Sequence, residues 1–296
     1  MDAELHVQYV SDALESLLSA GDVREIVRET ITAYLNKYDG GVESALIDRA
    51  KYYSAKCMGY PAVWFLSKAV GAKTDLRRKE LIGAVSQTLL FSLSTSIADD
   101  FIDGDEDISE KDMFLFYVLI IGILTDIRSD TNSSQIILKT SNRLLLPILA
   151  KDSDDIDADI KFASTDRIGF FFEMIFEEYF DRFPNDCSEH LTLASRFFGR
   201  ICCLIDDCID FDKDISINGD NILAENLEGD NLNATDCSME VVRSNAIKTL
   251  NEYYEVMLLH LEKAGSTELQ NSMNESRHKI EVFIVNQLEQ SPRWSD

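Results

Sequence analysis

Six carboxylates occupy nine consecutive positions in SIADDFIDGDED, residues 96–107, directly after an apolar run. Asp99 and Asp103 stand four apart, which puts them on one face of a helix with Asp100 beside them. Asp107 continues the row, although Gly104 favours a helix end. A second stretch, LIDDCIDFDKD at 204–214, repeats the pattern: Asp206, Asp210 and Asp214 step by four, flanked by Asp207 and Asp212. Such crowding is repulsive unless a cation, a basic partner or water relieves it. One such run reads as a solvated helix end; two, each growing out of an apolar helix, point to more. If both rows face a common cavity, they supply the hard oxygen ligands that Mg2+ accepts, the rest of its octahedron coming from water and substrate phosphate. Neither stretch has the alternating ligands and terminal glutamate of an EF-hand loop.

The elements that must carry these rows are helices. Only four prolines occur in 296 residues, and apolar residues recur at three-to-four spacing in VSDALESLL, VREIVRETITAYL, LLFSLSTSI, MFLFYVLIIGIL, IGFFFEMIFEEYF, FFGRICCLIDDCIDF and IKTLNEYYEVMLLHL. Polar breaks near 39–42, 71–75, 104–111, 128–134, 152–157, 183–189, 214–236 and 264–267 divide the chain into about nine or ten helices. With no long linker, repeat or low-complexity tract, the pattern predicts one all-α domain over residues 1–296.

Composition narrows the partners. Fifty-three acidic against 28 basic residues give a net charge of −25, which repels nucleic acid and anionic headgroups and argues against both as partners. Much of that charge reads as solvated surface. The start MDAELHVQYV lacks a signal-peptide core and the end SPRWSD fits no lipidation motif, so the expected location is cytoplasmic. The longest apolar run, residues 113–124, is shorter than the roughly 20 residues a membrane span needs, and reads as a buried helix. The six cysteines form no CxxC pair, so buried thiols are expected rather than zinc sites or disulfides.

DDFID and DDCIDFDKD, on two helices of an all-α chain of this size, resemble the first and second aspartate-rich motifs of class I isoprenoid synthases, the superfamily of trans-prenyltransferases and class I terpene cyclases. The DDxxDxxxD form of the second stretch is more similar to the prenyltransferase branch, and weaker similarity runs from about residue 50 to the C-terminus. The resemblance implies a helical bundle with a central cavity and ionisation of an allylic diphosphate. It makes Asp99, Asp100, Asp103, Asp206, Asp207 and Asp210 catalytic acids, and Asp99, Asp100, Asp103, Asp206, Asp210 and Asp214 ligands of Mg2+.

Chain elongation further requires a basic site for isopentenyl diphosphate, and here the chain departs from the family. In AKCMGYP, Lys56 and Pro61 match the family's Gly-Lys-x-x-Arg-Pro element but its arginine is absent, and no arginine pair follows the first motif. Arg167 stands at the family's Lys-Thr pair with Ile168 in place of the threonine, Cys203 replaces a glutamine, and Asp230 stands where a lysine is expected. A carboxylate in place of a cation beside diphosphate turns attraction into repulsion worth up to several kcal/mol. The expected activity is therefore Mg2+-dependent ionisation followed by cyclisation. The alternatives are a trans-prenyltransferase using Lys51, Lys56, Arg77 and Arg78, or a catalytically reduced prenyltransferase subunit.

Arg167, Lys213, Arg293 and Lys56 are the candidate diphosphate binders, Arg293 with Trp294 matching loosely the C-terminal Arg-Tyr pair of cyclases. A carbocation needs a dry pocket with aromatic faces. Candidates for its lining are Phe91, Ser94, Thr95, Phe171 and Cys203, with Phe170, Phe172, Phe176, Phe197 and Phe198 as further aromatics that read equally as plain core. Ser94 and Thr95 are small, which the resemblance associates with a deep cavity and a prenyl diphosphate of geranylgeranyl length or longer. A homodimer is implied by the resemblance alone.

Overall fold

The structure is a computed structural model that describes residues 13–14, 16–18, 21–37, 59–71, 75–86, 89–90, 93–94, 169, 172–173, 175–177, 179, 187–217, 221–229 and 237–291. The described residues are helical with short turns and contain no strand, as the periodicity predicts. Named in chain order, the helices are α1 (Gly21–Lys37), α2 (Gly59–Ala69), α3 (Asp75–Ala84), α4 (Ser188–Ile217), α5 (Ile222–Gly229), α6 (Met239–Lys263) and α7 (Thr267–Glu289).

The 30-residue α4 is the axis of this assembly, touching α2, α5, α6 and α7. Its stripe Phe198, Ile201, Cys202, Ile205 and Cys208 is buried, the three-to-four spacing that makes a helix a packing element. α4 and α6 run antiparallel, with His190 facing His260 at one rung and Phe197 facing Tyr253 one heptad along. At the Phe197 rung the rings meet edge to face at 6.2 Å, and the Arg200 guanidinium lies 4.8 Å above Phe197.

α6 turns into α7 through a Schellman close. Ser266 N–H donates to the Leu261 carbonyl at 3.0 Å and Gly265 N–H to the Glu262 carbonyl at 2.9 Å, with Gly265 at φ +67°. Glycine avoids the Cβ strain of that left-handed position. α7 then returns antiparallel to α6, held by Tyr254 against Ser276 at 3.3 Å, by Arg277 donating to Asn251, and by Arg243–Glu289 at 3.1 Å. Two antiparallel steps leave α7 parallel to α4. The end of α4, the start of α6 and the end of α7 therefore meet at one end of the bundle.

α2 packs its aromatic face on α4. Phe65 stacks on Phe198 with centroids 4.8 Å apart and meets Phe176 edge to face at 5.6 Å; Trp64 and Phe172 approach Phe198 at 5.7 and 5.6 Å. All five rings are buried, so Phe172, Phe176 and Phe198 have the plain-core role. Phe197 is half-buried in the α4–α6 seam, and Phe91, Phe170 and Phe171 lie outside the described residues.

One expected break differs. Residues 214–236 read as a polar connection, yet α4 continues to Ile217 and α5 forms within the stretch. Leu223 and Leu227, one turn apart, are fully buried, and that pair anchors an eight-residue helix too short to show a periodic signal. The apolar run 113–124 and the first acidic stretch lie outside the described residues, among which no helix is long and apolar enough to cross a membrane.

Phe198 is packed against three rings, Trp64, Phe65 and Phe172, so Phe198→Ala is expected to cost about 3–5 kcal/mol and Phe197→Ala clearly less. Urea unfolding followed by circular dichroism reads the difference; equal midpoints for the two variants would contradict this packing.

Candidate functional site

The second acidic row lies in the C-terminal half of α4, at the end of the bundle where α5 and the end of α7 converge. Ile201–Ile205 are all buried, and the helix changes character within one turn: Asp206, Asp207, Asp210, Asp212 and Asp214 are half-buried and Lys213 is exposed. The carboxylates thus stand at the rim of the apolar core.

They fall into two stripes. Asp207 and Asp214, two turns apart, flank the buried Phe211 and face α5. Asn221 joins them. Its Nδ2 donates both to the Asp207 backbone carbonyl and to Asp214 Oδ2, each at 2.9 Å, while its Oδ1 accepts from Leu223 N–H at 3.1 Å as the N-cap of α5. Asp207 Oδ2 accepts from Ile222 N–H at 2.8 Å, which places a carboxylate on the positive end of that helix. Asn221 is 1% exposed, and both its N–H donors and its carbonyl are satisfied. Asp207 and Asp214 therefore fold the chain back on α4, whatever else they do.

Asp206 and Asp210 form the neighbouring stripe, one turn apart, with the buried Cys203 one turn upstream of Asp206. Burial, then the Asp206 carboxylate, pushes the Cys202 thiol far above its ordinary value; burial, then Asp207 and Asp206, does the same to Cys208. These thiols stay protonated at neutral pH and are poor nucleophiles and poor metal ligands. The described cysteines are free, with Cys202, Cys203 and Cys208 buried and Cys187 and Cys237 half-buried. The ligand set at this end of α4 is consequently all oxygen, the donor type that suits Mg2+.

Asp212 faces α7. Its Oδ2 accepts from Ser291 Oγ at 2.5 Å, just past the end of α7. The chain thereby returns its C-terminal segment to the acidic end of α4 two residues before Arg293.

Of the other expected site residues, Ser94 is buried and Cys203 is 5% exposed. Arg77 is exposed and Arg78 half-buried on α3. Asp99, Asp100, Asp103, Lys51, Lys56, Thr95, Arg167 and Arg293 lie outside the described residues. Among the described residues no group of three His, Cys, Asp or Glu side chains is drawn together as a metal cage. Asn221 is the participant that the sequence reading did not single out. Its signal is an N-cap type directly before the apolar ILAENLEG, masked by the polar residues around it.

No protein-family model matches the chain, and neither a curated protein nor a solved structure shows significant similarity to it.

Asn221→Ala removes the α5 cap and both donors to the acidic row, and is expected to lower stability by about 1–3 kcal/mol. Thermal unfolding at pH 7 measures it; an unchanged midpoint would show that the clasp carries no weight.

Proposed function

We propose that the protein is a Mg2+-dependent class I terpene synthase that ionises an allylic prenyl diphosphate and lets the cation cyclise. The observation that supports this most is the placement of the Asp206–Asp210 stripe, half-buried at the point where α4 passes from a fully buried apolar run to an acidic one. An amphiphile with a diphosphate head and a hydrocarbon tail matches that junction, head toward the carboxylates and tail toward the core. The all-oxygen donor set fits divalent magnesium, whose charge stabilises the departing diphosphate.

In this reading Asp206 and Asp210, with Asp99, Asp100 and Asp103 of the first acidic stretch, bind the cation that holds the diphosphate. Asp207 and Asp214, clasped by Asn221, fix the pitch and position of the row. Ser291 ties the end of the α7 segment to Asp212, and Arg293, Arg167 and Lys213 are the proposed donors to diphosphate oxygens. The protonated Cys202 and Cys208 offer no thiolate to trap an allylic cation. Loss of the basic residues for a second diphosphate favours intramolecular capture over chain elongation.

Incubation with Mg2+ and geranyl, farnesyl or geranylgeranyl diphosphate, with and without isopentenyl diphosphate, separates the possible activities. The expected product is a hydrocarbon or alcohol from the allylic substrate alone, with geranylgeranyl diphosphate or a longer substrate preferred. Longer diphosphates formed only with isopentenyl diphosphate would assign elongation instead, and no turnover in any mixture would point to a non-catalytic subunit. Asp206→Ala and Asp99→Ala should each lower turnover at least a thousandfold, about 4 kcal/mol or more of barrier, with the fold retained by circular dichroism. Wild-type rates in both would remove the site assignment.

A further inference from the structure

At the opposite end of the bundle the α4–α6 seam holds a pair of side chains that the acidic row does not use. His190, in the first turn of α4, and His260, in the last turn of α6, face each other with Nδ1 atoms 3.2 Å apart and ring centroids 5.3 Å apart, the planes inclined by 47°. We propose that these two imidazoles form a clip for a late first-row divalent transition ion such as Ni2+, Cu2+ or Zn2+.

The spacing carries the proposal. Metal–imidazole bonds of about 2.0–2.1 Å, closed over two nitrogens this far apart, subtend about 100° at the ion, between the square and tetrahedral angles those ions accept. The seam sets the spacing: the Phe197–Tyr253 pair one heptad along fixes the register of the two helices, so neither imidazole has to travel to meet the other. In the ion-free protein one Nδ1–H donates to the other Nδ1, which requires two different tautomers; a cation satisfies both lone pairs without that restriction.

Neutral imidazole is the form that binds metals, and the surroundings favour it at His260. Burial first, then His190 and Lys263, hold the His260 imidazole below its ordinary value, opposed by Glu189. Both rings are half-buried, open enough for water to complete the coordination. Among the described residues no third His, Cys, Asp or Glu closes the site, so it is a two-ligand clip rather than a cage. It is also separate from the acidic row: Asp206 stands sixteen positions along α4 from His190, about 24 Å along the axis. Magnesium prefers oxygen ligands and does not compete for it.

Calorimetric titration of the full chain with NiCl2, in excess Mg2+ to occupy the carboxylates, tests this. The expected result is one saturable Ni2+ site, weakened at least tenfold by His190→Gln and by His260→Gln and unaffected by His278→Gln on exposed helix surface. Ni2+ should also raise the thermal midpoint of the wild type and of His278→Gln only. Pulsed EPR of the Cu2+-loaded wild type gives a readout that depends on no variant, and two coordinated imidazoles are expected. Absence of saturable Ni2+ binding, undiminished binding in either seam variant, or coupling to fewer than two imidazoles would overturn the proposal.

Discussion

The structure turns on an electrostatic constraint: a row of carboxylates at the C-terminal end of a long helix. Neighbours one turn apart repel by about 2–3 kcal/mol at an effective dielectric of about 20, and the helix dipole places its own negative pole at the same end. No basic residue occupies the last turn of α4 to offset this. Something else must, and Asn221 with the start of α5 answers for one stripe of the row. Two side-chain N–H groups and one backbone N–H, all at the start of α5, turn Asp207 and Asp214 from a liability into the seat of the next helix. The adjacent stripe, Asp206 and Asp210, is a pair of half-buried carboxylates one turn apart, and the proposed Mg2+ site rests on that pair.

The rest of the bundle keeps that end in place. The Schellman close at Gly265 reverses α6 into α7, so that Ser291 arrives at Asp212, and the aromatic cluster around Phe198 fixes α2 to the half of α4 that precedes the acids. Burial of Ile201–Ile205 immediately before Asp206 sets a sharp boundary between apolar and charged surface. A boundary of this kind fits a substrate that is itself divided into a greasy tail and an ionic head.

Much of this was legible in the chain. The i, i+4 spacing of Asp206, Asp210 and Asp214 on a helix, the helical reading of residues 23–35 and 247–261, the break before Asp75 and the break at 264–267 follow from periodicity, because long amphipathic helices print their period on the sequence. Three features were not. Helix α5 is anchored by Ile222, Leu223 and Leu227 within a largely polar stretch, too short a run to print a period on the sequence. The division of the acids into two stripes depends on Asn221, which is distant enough in sequence that only the tertiary return of the chain reveals its partners. The His190–His260 pair is likewise invisible to spacing rules, since its members are seventy residues apart and meet only through the register of α4 on α6.

The most direct test of the account is a crystal structure of the protein grown with Mn2+ and pyrophosphate, with anomalous data to locate the metal. The account predicts a metal peak bonded to carboxylate oxygens of Asp206 and Asp210, about 2.0–2.2 Å away if it coordinates as magnesium does, with pyrophosphate completing its shell and Asn221 still bridging Asp207 and Asp214. Asp206 and Asp210 pointing into bulk solvent with no metal peak between them would contradict it.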